Sequence, residues 1–486
     1  MKKSQKESLV KTHYLAVNLG ATSGRTVIAT FDGKHIEMRE FTRFENPQLP
    51  LCGHIVWDLP HLYNEILRAL RKACSEEIEL KSIGIDTWGC DFAFFDKSGQ
   101  LLGLPYCYRD PHTDGAPQRY FLEHKSKEEV YDRTGIQFMP FNSLFQLATL
   151  RNEKSVALEQ AEKILFIPDA LIYMLTEQAV CEYTVASTSQ MLNPKTGDLD
   201  LALLRTLGLG RKRFGRLVQP GECIGVLSAQ VQACTGQGPI PVIAVASHDT
   251  ASAVAAVPAQ DANFAYLSCG TWSLLGVESP TPIINKDSYT ENFTNEGGLD
   301  GTTRFLKNIT GLWIYEQCRK EWTMQGASVS IPSDVNELNA LCLTSTCDSI
   351  IAPDDPRFAH PVSMTAAIED YLIETKQPLP QSPADYVRII FRSLAARYRE
   401  IIDILRRITP VDIQRLHVIG GGSRNQYLMQ FAADALQLPV IAGPQEGTAL
   451  GNALVQVRAA GLVSSLQEMR AIIANSIELK EYKPNS

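Results

Sequence analysis

Apolar and polar positions along the chain first alternate in short runs. "YLAVNLG" (14–20) is an apolar run ending in glycine, and "RTVIATF" (25–31) follows it closely. Asp32-Gly33 is a hairpin signal, and "HIEMREFTRF" (35–44) predicts a third strand. The period then changes: Leu62, Ile66, Leu67, Leu70 and Ala73 fall on one face of a helix. "SIGIDTWGCDFAFF" (82–95) and "QLLGLPYCY" (100–108) predict a further strand pair around Ser98-Gly99. Strands that precede helices in this way indicate an α/β architecture.

The opening layout recurs at "FAYLSCGTWSLLGVES" (264–279), again an apolar strand, a small-residue turn with Gly and Thr, and a second strand. Two half-chains that begin alike suggest a structural duplication, with two hairpin loops able to grip one phosphate chain. The join is expected in "AVPAQDAN" (256–263), rich in Ala with Pro and Asp. In the second half, Ser382-Pro383 with Asp385 predicts a helix start. Tyr386, Ile390, Phe391, Leu394, Tyr398, Ile401, Ile402 and Leu405 continue it as a core-facing stripe. "LHVIGGGSRNQYLMQFAADAL" (416–436) reads strand, triple glycine, helix. Its spacing fits neither a Walker A loop nor GxGxxG, so a phosphate or adenosine loop and a plain tight turn both remain open.

"PVIAVASHDTASAVAAVP" (241–258) is the most informative stretch for chemistry. A buried strand ends in Ser-His-Asp-Thr and passes into an alanine-rich helix. Asp249 and Thr250 could simply cap that helix. Capping accounts for one polar residue, not for the whole run. The chemical reading makes Asp249 a general base, kept ionised by the helix N-terminus, with His248 orienting it or bonding a substrate. In "GIDTWGCDF" (84–92), Asp86, Trp88 and Asp91 surround Gly89. That group suits either a sugar face or a buried tryptophan turn. In "LKNITGLW" (306–313), Asn308 suits either a hydroxyl contact or a helix N-cap.

Composition narrows the classes. A chain of 486 residues is too long for one core, so two domains are expected. A net charge of -8, without a basic block, argues against nucleic acid and anionic membrane surfaces as partners. The eleven cysteines include no CxxC pair and read as free thiols in a reducing compartment. The basic start "MKKSQKESLVKTH" lacks the apolar core of a secretory signal, and no 18-residue apolar run occurs. A cytoplasmic protein is expected, monomeric or a small homo-oligomer.

Taken together, the motifs resemble the rhamnulokinases, a group within the FGGY carbohydrate kinases, over roughly residues 14–480. The likeness rests on "GATSGR", "GIDTWGCDF", "GLPYCYRD", "GIQFMPFNSLFQL", "VASHDTASAV", "YLSCGTWSLLGVES", "NEGG", "LKNITGLW" and "GGGSRNQYLMQFAAD", in that order. It implies a two-domain α/β fold of the actin/hexokinase/Hsp70-like (ribonuclease H-like) kind with a central cleft. The implied boundaries are an N-terminal domain at 13–256, a C-terminal domain at 262–460 and a tail at 461–486. It also implies transfer of the γ-phosphoryl group of ATP to O1 of L-rhamnulose, with Mg²⁺ and with Asp249 as base. Sugar contacts would fall on Gly89, His248, Asp249, Thr250 and Asn308. ATP contacts would fall on Ala21, Thr22, Ser23, Gly24, Arg25, Thr271, Glu316 and Gly421. Metal contacts would involve Asn18 and Asp86.

Two positions depart from the wider family: Gln146 stands where other FGGY kinases carry lysine, and Asn18 where the family has aspartate. The amide keeps an oxygen acceptor but lacks the charge a hard cation prefers, so weaker magnesium use is expected. The alternatives are a kinase for another deoxy-ketose such as L-fuculose, or a sugar- or nucleotide-binding protein that kept the fold.

Overall fold

β1 (Thr12–Leu19), β2 (Ser23–Phe31) and β3 (Ile36–Glu45) form an antiparallel meander. The structure, a computed structural model, describes residues 11–325, 331–359 and 361–485; most of the basic N-terminal stretch lies outside them. α1 (Leu59–Ser75) starts at Asp58, whose carboxylate accepts from the His61 amide. Its apolar stripe of Leu62, Ile66, Leu70 and Ala73 is fully buried. β4 (Leu80–Thr87), β5 (Cys223–Val226) and β6 (Pro241–Ile243) complete a six-stranded sheet in the order β5-β6-β4-β1-β2-β3. β4 runs parallel to both β1 and β6. Tyr14, Leu15, Ala16 and Val17 are all buried, so this run shows no alternation because both faces of β1 are covered. α2 (Asp249–Ala255) follows β6.

The expected second copy of the hairpin is present as β7 (Phe264–Cys269) and β8 (Trp272–Ser279), paired antiparallel. The chain continues through β9 (Thr294–Gly297), β10 (Thr303–Thr310), α3 (Trp313–Gln325) and the long α4 (Pro383–Ile408). β11 (Arg415–Ile419), α5 (Gln426–Leu436), β12 (Val440–Ala442), α6 (Gly447–Ala459), α7 (Leu466–Ser476) and β13 (Lys480–Tyr482) complete it. β7 pairs parallel with β11 just as β1 pairs with β4, so the two halves share a hairpin-plus-parallel-strand plan.

Two compact units result. The first holds the chain to Ala256 together with Ser279–Phe305 and Thr448–Ser476; the second holds Val257–Glu278, Leu306–Gly447 and Ile477–Ser486. The chain therefore crosses between units more often than a single join at 256–263 requires. Residues 448–476 return to the first unit because α6 offers small apolar residues to it. Ala449 packs with Ala16 and Val27, and a Cβ on Gly451 would stand 1.8 Å from the Ser252 carbonyl oxygen. The stretch 461–486 carries α7, which buries Met469, Ile472 and Ile473, and the strand β13.

Local expectations were altered in three places. Residues 100–108 give only isolated bridges, Phe95 to Leu101 and Val56 to Tyr106, instead of a strand. Asn308 lies within β10, five residues before α3 begins, so it caps no helix. At the start of α4, Ser382 makes no side-chain cap to the backbone; its hydroxyl donates to Asp385 Oδ2 at 3.1 Å.

Candidate active site

The carboxyl ends of the parallel strands β1 and β4, together with the loop that follows β6, gather the polar residues of the first unit, the usual ligand edge of such sheets. Asn18 pairs with Arg25 across the hairpin and lies beside Asp86 on β4. The hairpin tip carries Ala21, Thr22, Ser23 and Gly24. The Gly20 amide donates to the Ser23 carbonyl at 2.9 Å. The Asn46 amide donates to the Thr22 carbonyl at 3.1 Å, and its side-chain nitrogen donates to the Gly20 carbonyl at 2.9 Å. A Cβ on Gly24 would lie 2.3 Å from the Phe44 ring, which accounts for glycine there. The tip itself is open, with Thr22 exposed.

Asp86 is fully buried. Asn452 from α6 donates to its Oδ2 at 2.6 Å, while Oδ1 has no hydrogen-bond partner among the described residues. Burial pushes this carboxyl well above the usual range. The Asn452 bond opposes the shift, the negative charge of Asp249 adds to it, and Arg25 opposes it. Gln456 steadies Asn452, donating to its Oδ1 at 2.7 Å.

The Ser-His-Asp-Thr run is held from both sides. Thr87 at the end of β4 donates its amide to the Ser247 carbonyl at 2.9 Å. The Ser247 amide donates to Glu182 Oε2 at 3.2 Å, and the His248 amide donates to Thr184 Oγ1 at 3.1 Å. His248 occupies the N-cap position without a side-chain cap bond, so neither Asp249 nor Thr250 fills that position. Asp249 is the first residue of α2, with its side chain 33% exposed. Thr250 Oγ1 donates to its Oδ1 at 3.1 Å.

The His248 ring is nearly buried and lies between two sets of groups. Nε2 is 3.5 Å from Asp249 Oδ1. Nδ1 is 3.1 Å from Arg304 Nη2 and 3.3 Å from Glu296 Oε2, and those two groups pair at 3.1 Å. Burial works against the Glu296 charge, but the paired Arg304 guanidinium opposes it and the carboxyl stays below its ordinary value. Glu182 behaves oppositely: burial pushes it up to about 7 despite bonds from Thr184, Val185 and Ser247.

The tryptophan turn resolves toward architecture. Asp91 accepts from the indoles of Trp57 at 2.6 Å and Trp88 at 2.9 Å, from the Tyr108 amide at 3.0 Å and from Gln146 at 2.9 Å. Burial still pushes its carboxyl up to about 6. Gln146 therefore has a structural partner in Asp91. Gly89 is fixed by crowding, since a Cβ would meet Thr188 Oγ1 at 2.7 Å.

In the second unit, the Thr271 carbonyl accepts from the amides of Gly311 at 3.1 Å and Trp313 at 3.2 Å, and Thr271 is exposed at the β7–β8 tip. Of the three consecutive glycines, two are packing positions: a Cβ on Gly420 would lie 3.0 Å from the Cys269 carbonyl oxygen, and one on Gly422 would lie 2.3 Å from the Cys269 sulfur. A Cβ on Gly421 would meet nothing within 4 Å, leaving that backbone approachable. Glu316 lies on α3 and pairs with Arg319 at 2.6 Å.

The structure thus groups Asn18, Ala21–Arg25, Asp86, Gly89 and His248–Thr250 in the first unit, while Thr271, Asn308, Glu316 and Gly421 belong to the second. Among the described residues, no three His, Cys, Asp or Glu side chains form a metal cluster. All eleven cysteines are free. Sequence reasoning did not find Asn46, Glu182, Glu296, Arg304 or Asn452. Only Glu296, within the quoted "NEGG", carried a signal, as a buried acid followed by two glycines.

This geometry belongs to a phosphotransferase of a known class. Residues 13–256 match the N-terminal domain, and residues 265–460 the C-terminal domain, of the FGGY family of carbohydrate kinases. The chain belongs to that family and is an ATP-using sugar kinase. It is 50% identical over 478 residues to a rhamnulokinase of Bacteroides thetaiotaomicron, covering 98% of this chain and 96% of that one. It is 43% identical to a rhamnulokinase of Pectobacterium atrosepticum, covering 97% and 93%. In fold it is similar to a ligand-bound xylulose kinase from Lactobacillus acidophilus (TM-score 0.80, 17% identity, 98% and 94% covered). A Plasmodium falciparum glycerol kinase solved with ADP gives a TM-score of 0.77 at 15% identity, with 98% and 94% covered. Among the described residues, no helix is long and apolar enough to cross a membrane.

Proposed function

We propose that this kinase, working in the cytoplasm, transfers the γ-phosphoryl group of ATP to O1 of L-rhamnulose, giving L-rhamnulose 1-phosphate and ADP. The observation that carries the mechanism is the part-open Asp249 carboxylate at the first turn of α2, one residue after a ring clamped from behind. Asp249 takes the proton of the O1 hydroxyl as that oxygen attacks the γ-phosphorus. His248, Thr250, Gly89 and Asn308 are the sugar contacts. The hairpin-tip residues Ala21–Gly24, with Arg25 and Thr271, serve the phosphates. Gly421 leaves room for the adenosine end, with Glu316 nearby on α3 as a further nucleotide contact.

The unpartnered Oδ1 of Asp86 beside Asn18 fits a cation, because a buried carboxylate oxygen without a donor is costly. Mg²⁺ bound there with the ATP phosphates would neutralise charge on the transferred group.

Coupled ADP release across a panel of ketoses tests the reading. L-rhamnulose should give the highest kcat/KM, and Asp249→Asn should lower kcat by about 10²–10⁴-fold. Preference for L-fuculose would replace the substrate, and absence of ketose-dependent ADP release would end the proposal.

A further inference from the structure

Arg304 is fully buried, yet it has no role among the residues assigned to substrate. Its Nε donates to the Gly297 carbonyl at 2.9 Å, and its Nη2 pairs with Glu296 and meets His248 Nδ1, each at 3.1 Å. Its Nη1 has no hydrogen-bond partner among the described residues. A buried guanidinium with an unpaired nitrogen is an expensive way to support a fold, since apolar residues of similar volume often do as well.

We infer that Arg304, set in place by Glu296, is a positioning residue that fixes the ring proton of His248 on Nε2, the nitrogen facing Asp249; the inference rests on the roles proposed above for His248 and Asp249. Two arrangements compete at Nδ1. A proton there would point to Glu296 Oε2 at 3.3 Å, whereas a lone pair there would accept from Arg304 at 3.1 Å. The Arg304 contact is the shorter and is aligned as a hydrogen bond, while Glu296 Oε2 already pairs with the Arg304 charge at 3.1 Å and has no geometrically aligned hydrogen bond among the described residues. A guanidinium carries only hydrogens, so Nδ1 accepts and the single proton of the neutral ring sits on Nε2.

The consequence is a division of labour. With Nε2–H in place, His248 can only donate on the side that faces Asp249. It cannot take the hydroxyl proton itself, so Asp249 is the sole acceptor. The 3.5 Å gap between Nε2 and Asp249 Oδ1 is too long for a tight bond and leaves that N–H for a sugar oxygen.

Nitrogen NMR of the full chain labelled in histidine, with His248 assigned by comparison to His248→Asn, reads the tautomer directly. The parent should show Nε2–H, and Arg304→Lys, which keeps the charge against Glu296, should shift the ring toward Nδ1–H. Arg304→Lys should also lower kcat/KM for sugar by up to about 10²-fold through misplacement, with the KM for ATP unchanged. In the His248→Asn background the same change should cost less than about twofold, because the two residues act as one unit. If Arg304→Lys does not fold, the double variant Glu296→Gln/Arg304→Met removes both charges together and serves for the same readouts. An unchanged tautomer, or an equal cost in both backgrounds, overturns the inference. Unchanged sugar kinetics in His248→Asn alone would remove the substrate role of His248, and the inference with it, whatever the tautomer.

Discussion

The β1–β2 and β7–β8 hairpins share a sequence plan but are held in different ways. The second is joined backbone to backbone: Gly311, Leu312 and Trp313 donate amides to the carbonyls of Thr271, Gly270 and Thr271 at 3.1, 2.9 and 3.2 Å. Beyond its strand pairing, the first is tied to Asn46 through one backbone amide and one side-chain bond. A loop fixed by backbone bonds depends on close approach and hence on glycine. A loop fixed by a side chain depends on that side chain and can move when it is lost. Duplicated loops therefore need not share the same attachments.

The comparison can be broken most severely at Gly311. A Cβ there would lie 2.6 Å from the Trp272 carbonyl carbon, a backbone atom that cannot step aside. Gly311→Ala should destabilise the protein by about 3 kcal/mol, measured by urea unfolding. A loss under about 0.5 kcal/mol would show that the second hairpin yields as easily as the first.

A third way of holding a loop, by a titrating acid, supplies a contrast in pH. Glu182, which accepts from the Ser247 amide, is raised from 4.5 to about 7 by burial, so the folded chain binds this proton more tightly than the unfolded chain. Its stabilising contribution is complete below 4.5 and is lost as pH rises through about 7. Glu182→Gln should flatten that decline, by about 3 kcal/mol between the two limits. Parallel stability curves for parent and variant from pH 4 to 8 would contradict this sign.

Asn46→Ala should have a smaller effect on stability, about 1 kcal/mol, since one side-chain bond is lost. Its signature is a raised KM for ATP with little change for sugar. An equal rise in both would place the effect elsewhere than the first hairpin. The mildest change, Asn18→Asp, restores a carboxylate beside Asp86 and should speed turnover only at limiting magnesium. Coincident magnesium titrations would remove Asn18 from the cation site.

Much of the sheet was legible, because β1, β2, β3 and β7 announce themselves by short apolar runs and turn residues. The helix start at Asp249 was legible too, although β6 ends at Ile243 and a loop, not the strand, leads to Ser247 and His248. The clamp on His248 was not legible, because Glu296 and Arg304 reach it only through the return of residues 279–305 to the first unit. The pairing of α6 with the first unit was hidden for a related reason. Small apolar residues such as Ala449 and Gly451 signal burial but do not say against what. Asn308 was misplaced because its neighbours suit a helix start as well as a strand, and pairing within the sheet decides between them.

The Asn452–Asp86 bond also has a meaning for biosynthesis. The residue that steadies a carboxylate at the end of β4 lies in the stretch Thr448–Ser476, made only after Val257–Glu278 and Leu306–Gly447 of the second unit. Domains usually fold as units during synthesis, N-terminal first, but this one takes its Thr448–Ser476 segment from beyond Leu306–Gly447 of the other unit. A chain cut anywhere between 256 and 448 should yield an N-terminal half in which Asp86 lacks its Asn452 donor.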